Sequence, residues 1–187
     1  MALARGKVRI IGGKWRSRLL GFPAIPDLRP TSDRIRETIF NWLGQDLTGL
    51  RCLDLFAGSG ALGFEAASRG AASVVMVDRD ARAYHALQEN KEKLQATQVE
   101  CVKMDAMDFI RLNQRKFDVV FLDPPFRLGL LAELLPLLSL LSLHLEENGL
   151  IYTETPAICL PDEPWHIRRS AKAGAVHYQL LGLPPRG

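Results

Sequence analysis

Along this chain, short apolar runs of strand length alternate with longer segments whose apolar residues recur at helical spacing. From residue 50 onward the alternation is regular. Leu50–Phe56 reads as a strand and Ala61–Arg69 as a helix, and Ser73–Asp78 is a second strand followed by a helix over Arg79–Gln95. Val99–Lys103 and Phe117–Leu122 continue the series with a helix at Ala106–Gln114 between them. Leu128–Leu143 is helical, and Gly149–Thr153 is a further strand. Strands separated by helices predict a parallel sheet covered by helices. After Pro156 the rhythm changes: a loop with Pro161 and Pro164 leads to strands at Trp165–Ser170 and Val176–Leu183. Gly174 marks the turn of an antiparallel hairpin between them.

Ahead of residue 50 the pattern is different. Lys7–Ile11 and Arg16–Leu20 are expected to pair around Gly12 and Gly13. Leu28-Arg29-Pro30-Thr31-Ser32-Asp33 then leads into a helix that either Thr31 or Ser32 can cap, with Ile35, Ile39, Trp42 and Leu43 on one face. The expected organisation is an N-terminal element over residues 1–45 and an α/β domain over 46–187.

Length and cysteines bound the class. A chain of 187 residues buries a core without staples. Cys52, Cys101 and Cys159 are scattered, so reduced thiols and a cytoplasmic location are expected. The residues after Met1 are basic and lack the apolar core of a secretory signal. The most apolar stretch, Leu128–Leu145, is interrupted by Glu133, Pro136 and His144 and reads as a buried helix rather than a membrane span. No extra apolar face stands out, and a monomer is expected. His85, His144, His166 and His177 lack ligand spacing, and no metal is expected.

Charge changes the picture more. The net charge is +3, but residues 1–36 carry +7 and the rest of the chain −4. That asymmetry points to a polyanionic partner for the N-terminal element. Lys14, Arg16, Arg18, Arg29, Arg34 and Arg36 are the candidate phosphate contacts.

Candidate chemistry begins at Leu53-Asp54-Leu55-Phe56-Ala57-Gly58-Ser59-Gly60, where a strand turns into a helix through two glycines. Gly58, Gly60 and Gly63 also satisfy the dinucleotide pattern, so spacing alone leaves the ligand open. Asp54 favours a cofactor with cationic ammonium and sulfonium groups, such as S-adenosylmethionine, and disfavours a pyrophosphate. Asp54, Phe56, Ala57, Gly58 and Gly60 are therefore candidate cofactor contacts. Asp78-Arg79 ends the second strand, where a carboxylate can accept from both ribose hydroxyls. Asp105-Ala106 follows the third strand and suits either an adenine contact or a helix cap.

The motif that decides the reaction type is Asp123-Pro124-Pro125-Phe126, directly after an apolar strand. Paired prolines remove amide donors and fix φ, leaving a rigid platform of acceptors at the sheet edge. A nucleobase amino group is a weak nucleophile. The Asp123 carboxylate and the Pro124 carbonyl can accept from its two hydrogens and direct its lone pair outward, while Phe126 stacks on the base. Whether Asp123 takes the proton or only orients the amine stays open at this point.

These motifs together resemble the bacterial small-subunit rRNA guanine-N2 methyltransferases of the D type, over nearly the whole chain. Ile10-Ile11-Gly12-Gly13-Lys14-Trp15-Arg16 is similar to that family's amino-terminal element, which usually has Ala-Gly at Gly12-Gly13. Leu28-Arg29-Pro30-Thr31, Arg34-Ile35-Arg36-Glu37 and Phe40-Asn41-Trp42-Leu43 follow in its order, as do Lys172-Ala173-Gly174 and Tyr178 near the end. The resemblance implies the class I methyltransferase fold, an α/β doubly wound sheet, mostly parallel with an antiparallel C-terminal hairpin. It implies methyl transfer from S-adenosylmethionine to the 2-amino group of a guanine in 16S rRNA, within the small subunit or its assembly intermediate. The Asp-Pro-Pro-Phe tetrad alone is shared with adenine-N6 enzymes. Adenine-N6 or protein glutamine-N5 transfer, and a non-catalytic RNA-binding assembly factor, remain the alternatives. A nicotinamide dehydrogenase is disfavoured by Asp54 and by the proline loop.

Overall fold

A computed structural model describes residues 5–125, 130–157 and 164–184. The elements run β1 (Arg5–Arg9), β2 (Leu19–Pro23), α1 (Asp33–Trp42), β3 (Arg51–Asp54), α2 (Ala61–Ser68), β4 (Ser73–Asp78) and α3 (Ala81–Leu94). They continue with β5 (Val99–Lys103), α4 (Ala106–Leu112), β6 (Phe117–Leu122), α5 (Leu130–Leu141), β7 (Leu145–Thr155), β8 (His166–Ala173) and β9 (Val176–Gly182).

Seven strands form one sheet in the order β5-β4-β3-β6-β7-β9-β8. The first five are parallel, and β9 runs antiparallel to both β7 and β8. This is the doubly wound α/β sheet with an antiparallel C-terminal hairpin. Alternate residues of the central strands feed two cores. Cys52, Val74, Met76, Val119 and Phe121 face a layer that includes α1, α2 and the N-terminal element. Leu53, Val75, Val77, Val120 and Leu122 face the other side, with α4 and α5. In α5, Leu134, Leu137, Leu138 and Leu141 are buried and Leu135 is exposed, the stripe of a helix lying on a sheet. Among the described residues no helix is long and apolar enough to cross a membrane.

Several element ends shift by a few residues from the expectation, and two regions differ in a way that has a structural reason. Strand β7 begins at Leu145 instead of Gly149, because Leu145 already pairs with Phe117 across a register shift. The N-terminal hairpin differs more. Its second strand is Leu19–Pro23, paired Arg9↔Leu19 to Arg5↔Pro23, and residues 10–18 form a loop instead of a tight turn at Gly12-Gly13.

The reason lies in α2. Gly13 has φ +76°, and a Cβ there would stand 1.9 Å from the Ser68 carbonyl oxygen. That close approach lets the Lys14 amide donate to the Ser68 carbonyl at 2.8 Å and the Trp15 amide to Ser68 Oγ at 2.9 Å. Trp15 is thereby buried. The glycines dock a loop on a helix end instead of turning a hairpin. At Gly12 an added Cβ would meet the Arg69 guanidinium, a side chain instead of backbone, so the obstacle is smaller there than at Gly13.

Candidate active site

The strand order reverses at β3, which pairs with β4 on one side and β6 on the other. In doubly wound sheets ligands bind beyond the carboxyl ends of the strands at such a point. Both strands deliver a carboxylate there: Asp54 closes β3, and Asp123 follows β6.

Asp54 is 1% exposed. Its Oδ2 accepts the Gly63 amide at 3.0 Å in the first turn of α2, and its Oδ1 is buried without a partner. Burial pushes the carboxyl up to about 7 against the pull of the Gly63 amide, and the charge of Asp78 adds to the rise. A buried oxygen without a donor marks a place for one. An ammonium group satisfies it. A pyrophosphate does not, because the helix terminus it requires already faces the Asp54 carboxylate. The ambiguity of the glycine pattern is resolved by this hydrogen bond. Gly60 sits at φ +78°, and a Cβ there would lie 2.7 Å from Leu87 and from the Phe64 ring, so the loop enters α2 without room for a side chain.

The other acidic ends line the same edge. Asp78 accepts the Gly58 amide at 2.8 Å and the Asp80 amide at 2.9 Å, tying the glycine loop to the end of β4. Burial raises its carboxyl, and each oxygen keeps a lone pair for a hydroxyl donor. Asp80 caps α3, accepting from Arg82 and Ala83. Asp105 caps α4 through the Met107 amide at 2.9 Å, with its Oδ2 4.0 Å from the exposed Arg79 guanidinium. Ala106 and Ala57 are buried, and Phe56 is half-buried.

Asp123 accepts the Thr31 hydroxyl at 3.2 Å. Burial lifts its carboxyl well above the usual range, and the charges of Glu154 and Asp54 lift it further. Pro124 is buried and Pro125 exposed, while Phe126 lies outside the described residues. Glu154 on β7 is buried, its carboxyl raised by that burial, and it accepts the Tyr152 hydroxyl at 2.6 Å.

Thr31, Tyr152 and Glu154 are the residues that the sequence reading missed here. Of the two cap candidates, Ser32 caps α1 by accepting the Ile35 amide. Thr31 is left to face Asp123. The available signal for Glu154 was a polar Thr153-Glu154-Thr155 run closing an apolar strand. The segment before α1 also lies across the glycine loop: Leu28 Cδ1 stands 2.6 Å from where a Cβ on Gly58 would be.

Residues 8–182 match the family described as Conserved hypothetical protein 95. Ribosomal RNA small subunit methyltransferase D of Escherichia coli is 44% identical over 191 residues, covering 97% of this chain and 93% of that protein. The protein of the same name from Haemophilus influenzae is 42% identical, covering 95% and 94%. The solved structure of the putative methyltransferase yhhF from Escherichia coli superposes with a TM-score of 0.84 at 41% identity, covering 97% and 100%. The chain belongs to the ribosomal RNA small subunit methyltransferase D family.

In this member of the family the basic N-terminal residues divide in two. Lys14, Arg16, Arg18, Arg29 and Arg34 are exposed. Arg36 is not, and its expected place among the phosphate contacts is corrected. Its side chain is 0% exposed, with Nη1 3.1 Å from Glu65 Oε2, Nη2 2.6 Å from Asp33 Oδ1 and Nε donating to the Thr31 carbonyl at 3.1 Å. A buried guanidinium needs such acceptors, and with its side chain shut off from solvent it cannot reach a phosphate.

Proposed function

We propose that this protein transfers a methyl group from S-adenosylmethionine to the exocyclic N2 of a guanine in 16S rRNA, acting on the small ribosomal subunit or its assembly intermediate. One observation carries the reading: a buried carboxylate with a vacant acceptor, Asp54, stands beside a second, half-buried carboxylate, Asp123, at the reversal point of the sheet. The first suits the ammonium of the methyl donor, and the second suits an amino group.

The residues divide the work. Asp54 would hold the amino acid end of the donor, Asp78 its ribose, and Asp105 with Ala106 its adenine, over the backbone of Phe56-Ala57-Gly58-Gly60 and beside Arg79. Bound there, S-adenosylmethionine supplies an electrophilic methyl group on a sulfonium. Asp123 and Pro124 accept from the amino hydrogens and hold the nitrogen lone pair in line, Pro125 keeps the platform rigid, and Phe126 stacks on the base. The base must leave its helix to reach this edge. Residues 1–45 form the element that grips the flanking phosphates, and residues 46–187 the catalytic domain, working as a cytoplasmic monomer.

Methyl-labelled S-adenosylmethionine and small subunits from a strain lacking the enzyme test this. Label in N2-methylguanosine is expected. Label in N6-methyladenosine would keep the chemistry and overturn the base, and label in protein alone would overturn the substrate.

Two further outcomes follow from single residues. Below about 7 Asp54 carries a proton, and a bound ammonium displaces it. Affinity for S-adenosylmethionine is therefore expected to strengthen as pH rises from about 6 to 8 and to lose that slope in Asp54→Asn, as calorimetry reads. A wild-type affinity independent of pH sinks the pairing. Arg16→Ala, Arg18→Ala and Arg34→Ala are each expected to weaken RNA binding and to reduce the slope of log K against log salt by roughly one. An unchanged slope in all three places the RNA elsewhere.

A further inference from the structure

The end of the chain carries charge of one sign. From Trp165 to Gly187 there is no Asp or Glu, and Arg168, Arg169 and Lys172 all lie on β8. The nearest acids in sequence, Asp162 and Glu163, precede the hairpin and lie outside the described residues. All three cations are exposed. Among the described residues none of them has an ion-pair partner, and only Arg168 is tied down, its Nη2 donating to the Leu183 carbonyl at 2.8 Å. β8 is also the last strand of the sheet, and an edge strand leaves backbone amides unpaired.

Backbone register places this charge beside the reactive edge. β6 and β7 are parallel, and β9 runs antiparallel to β7 and β8, so β8 points the same way as β6. One row of paired residues crosses the sheet as Leu122, Thr153, Gln179 and Ser170. Asp123 is one residue past that row on β6, and Lys172 is two residues past it on β8. Three strand spacings separate β6 from β8, about 14 Å.

A β-bulge aims the arginines. Neighbours on a regular strand point to opposite faces. β8 carries an extra residue between Ile167 and Arg169. Arg169 pairs with Leu180, which belongs to the core shared with α1, so Arg169 faces that side. Arg168 faces it too: its Nε and Cγ lie 2.9 and 3.4 Å from where a Cβ on Gly182 would stand, next to Leu150 of the same core. The N-terminal element packs on this side toward the other end of the sheet, where Gly21 on β2 exchanges two hydrogen bonds with Asn90 on α3. Asp123 follows the middle strand and stands between the two groups of cations.

Exposed cations with no acid to neutralise them suit a polyanion, and their place suits one whose reacting base lies at Asp123. We propose that the C-terminal hairpin is a second RNA-binding surface. On it Arg169 and Lys172, with Arg168 beside them, contact phosphates on the flank of the extruded base opposite the N-terminal element. The proposal rests on the RNA substrate proposed above. Anchors on both flanks hold the strand open while the base is out of its stack. Charges on an edge strand also keep it from pairing with another sheet, so the test reads self-association as well.

The full-length protein is titrated with naked 16S rRNA and with small subunits from a strain lacking the enzyme, at several salt concentrations. Values of kcat and KM are measured for methyl transfer to the subunits. Arg169→Gln and Lys172→Gln are each expected to reduce the slope of log K against log salt by roughly one, and the double variant by roughly two. KM for the subunits is expected to rise about tenfold in the double variant, with kcat and affinity for S-adenosylmethionine unchanged. Arg169→Lys is expected to keep the wild-type slope. Lys116→Gln, which removes an exposed charge ahead of β6 at the far edge of the sheet, is expected to change nothing.

An unchanged slope in the double variant would overturn the proposal, and self-association of that variant would then assign the charges to guarding the sheet edge. Unchanged binding to naked rRNA with weakened binding to subunits would overturn it as well, placing a ribosomal protein on the hairpin. Both results leave the substrate reading intact, because wild type still labels guanine. That reading fails separately, if wild type labels no RNA, and takes the hairpin surface with it.

Discussion

Asp123→Ala is expected to lower kcat by about 10²- to 10⁴-fold while leaving affinity for S-adenosylmethionine nearly unchanged. The division follows from where the side chain sits. The groups assigned to the cofactor, Asp54 and Asp78, are tied to Gly63, Gly58 and Asp80, and none of these bonds involves Asp123. Asp123 contacts Thr31 and stands under the influence of Glu154 and Asp54. Its loss removes an acceptor from the amino group and leaves the donor's cradle intact. A stability measurement separates this from general damage. Folding raises the Asp123 carboxyl above its ordinary value of 3.8, so the folded state favours the protonated form. The contribution to stability is present in full below that ordinary value and is lost as pH rises through the folded one. Asp123→Asn, which carries no charge, is therefore expected to melt higher than wild type at pH near 8, with the gain shrinking toward pH 4. Such a gain in stability with a loss of turnover is the mark of a residue kept for chemistry. Equal loss of cofactor binding in Asp123→Ala would dissolve the division of roles.

Much of this arrangement is legible in the chain, for reasons that differ between parts. The strands Ser73–Asp78, Val99–Lys103 and Phe117–Leu122 have the expected bounds; in the first and third, which lie inside the sheet, the reason is that buried parallel strands are continuous apolar runs ended by polar residues. Asp54, Asp78, Asp105 and Asp123 fall at strand ends, and the fold brings every strand end of that kind to one edge. What escapes is set by contacts distant in sequence. Thr31 and Ser32 are equivalent as caps, and only the position of Asp123, 92 residues away, separates them. Glu154 stands in a polar run at the end of its strand, and its burial beside Tyr152 is set by the sheet and not by that run. Gly12-Gly13 has the form of a hairpin turn, but Ser68 and Glu65 on α2 claim that backbone. Arg36 is one more positive charge among many in the sequence, and its burial depends on Glu65, 29 residues away. Stacking of Trp42 on Tyr178, with ring centroids 5.4 Å apart, likewise joins α1 to β9 across most of the chain.

Glu65→Ala is expected to destabilise the protein by about 3–5 kcal/mol, a large share of what holds a domain of this size together. Glu65 is fully buried in the middle of α2 and serves four donors. Its Oε2 accepts from the Ile11 amide at 2.9 Å and Arg36 Nη1 at 3.1 Å. Its Oε1 accepts from the Gly12 amide at 2.8 Å and Arg69 Nε at 3.0 Å. Alanine would leave two amides without acceptors and the Arg36 charge buried with a partner on one side only, the exposed Asp33. The damage should be directional. Hydrogen exchange is expected to accelerate over β1, β2 and the loop between them before the central strands change, because Glu65 binds the amides of residues 11 and 12 to α2. It should also reach the active site, since Arg36 holds the Thr31 carbonyl at 3.1 Å and Thr31 presents its hydroxyl to Asp123. Urea denaturation gives the stability change, and exchange resolved by segment gives its location. A loss below about 1 kcal/mol would mean that the four donors find water or other acceptors, and the ion pair would not be what anchors the N-terminal element. The same chain of contacts separates the two readings of Arg36. As an internal tie, Arg36→Ala weakens RNA binding only as far as it loosens the element, with the salt slope unchanged. As a phosphate contact it would lower that slope by roughly one.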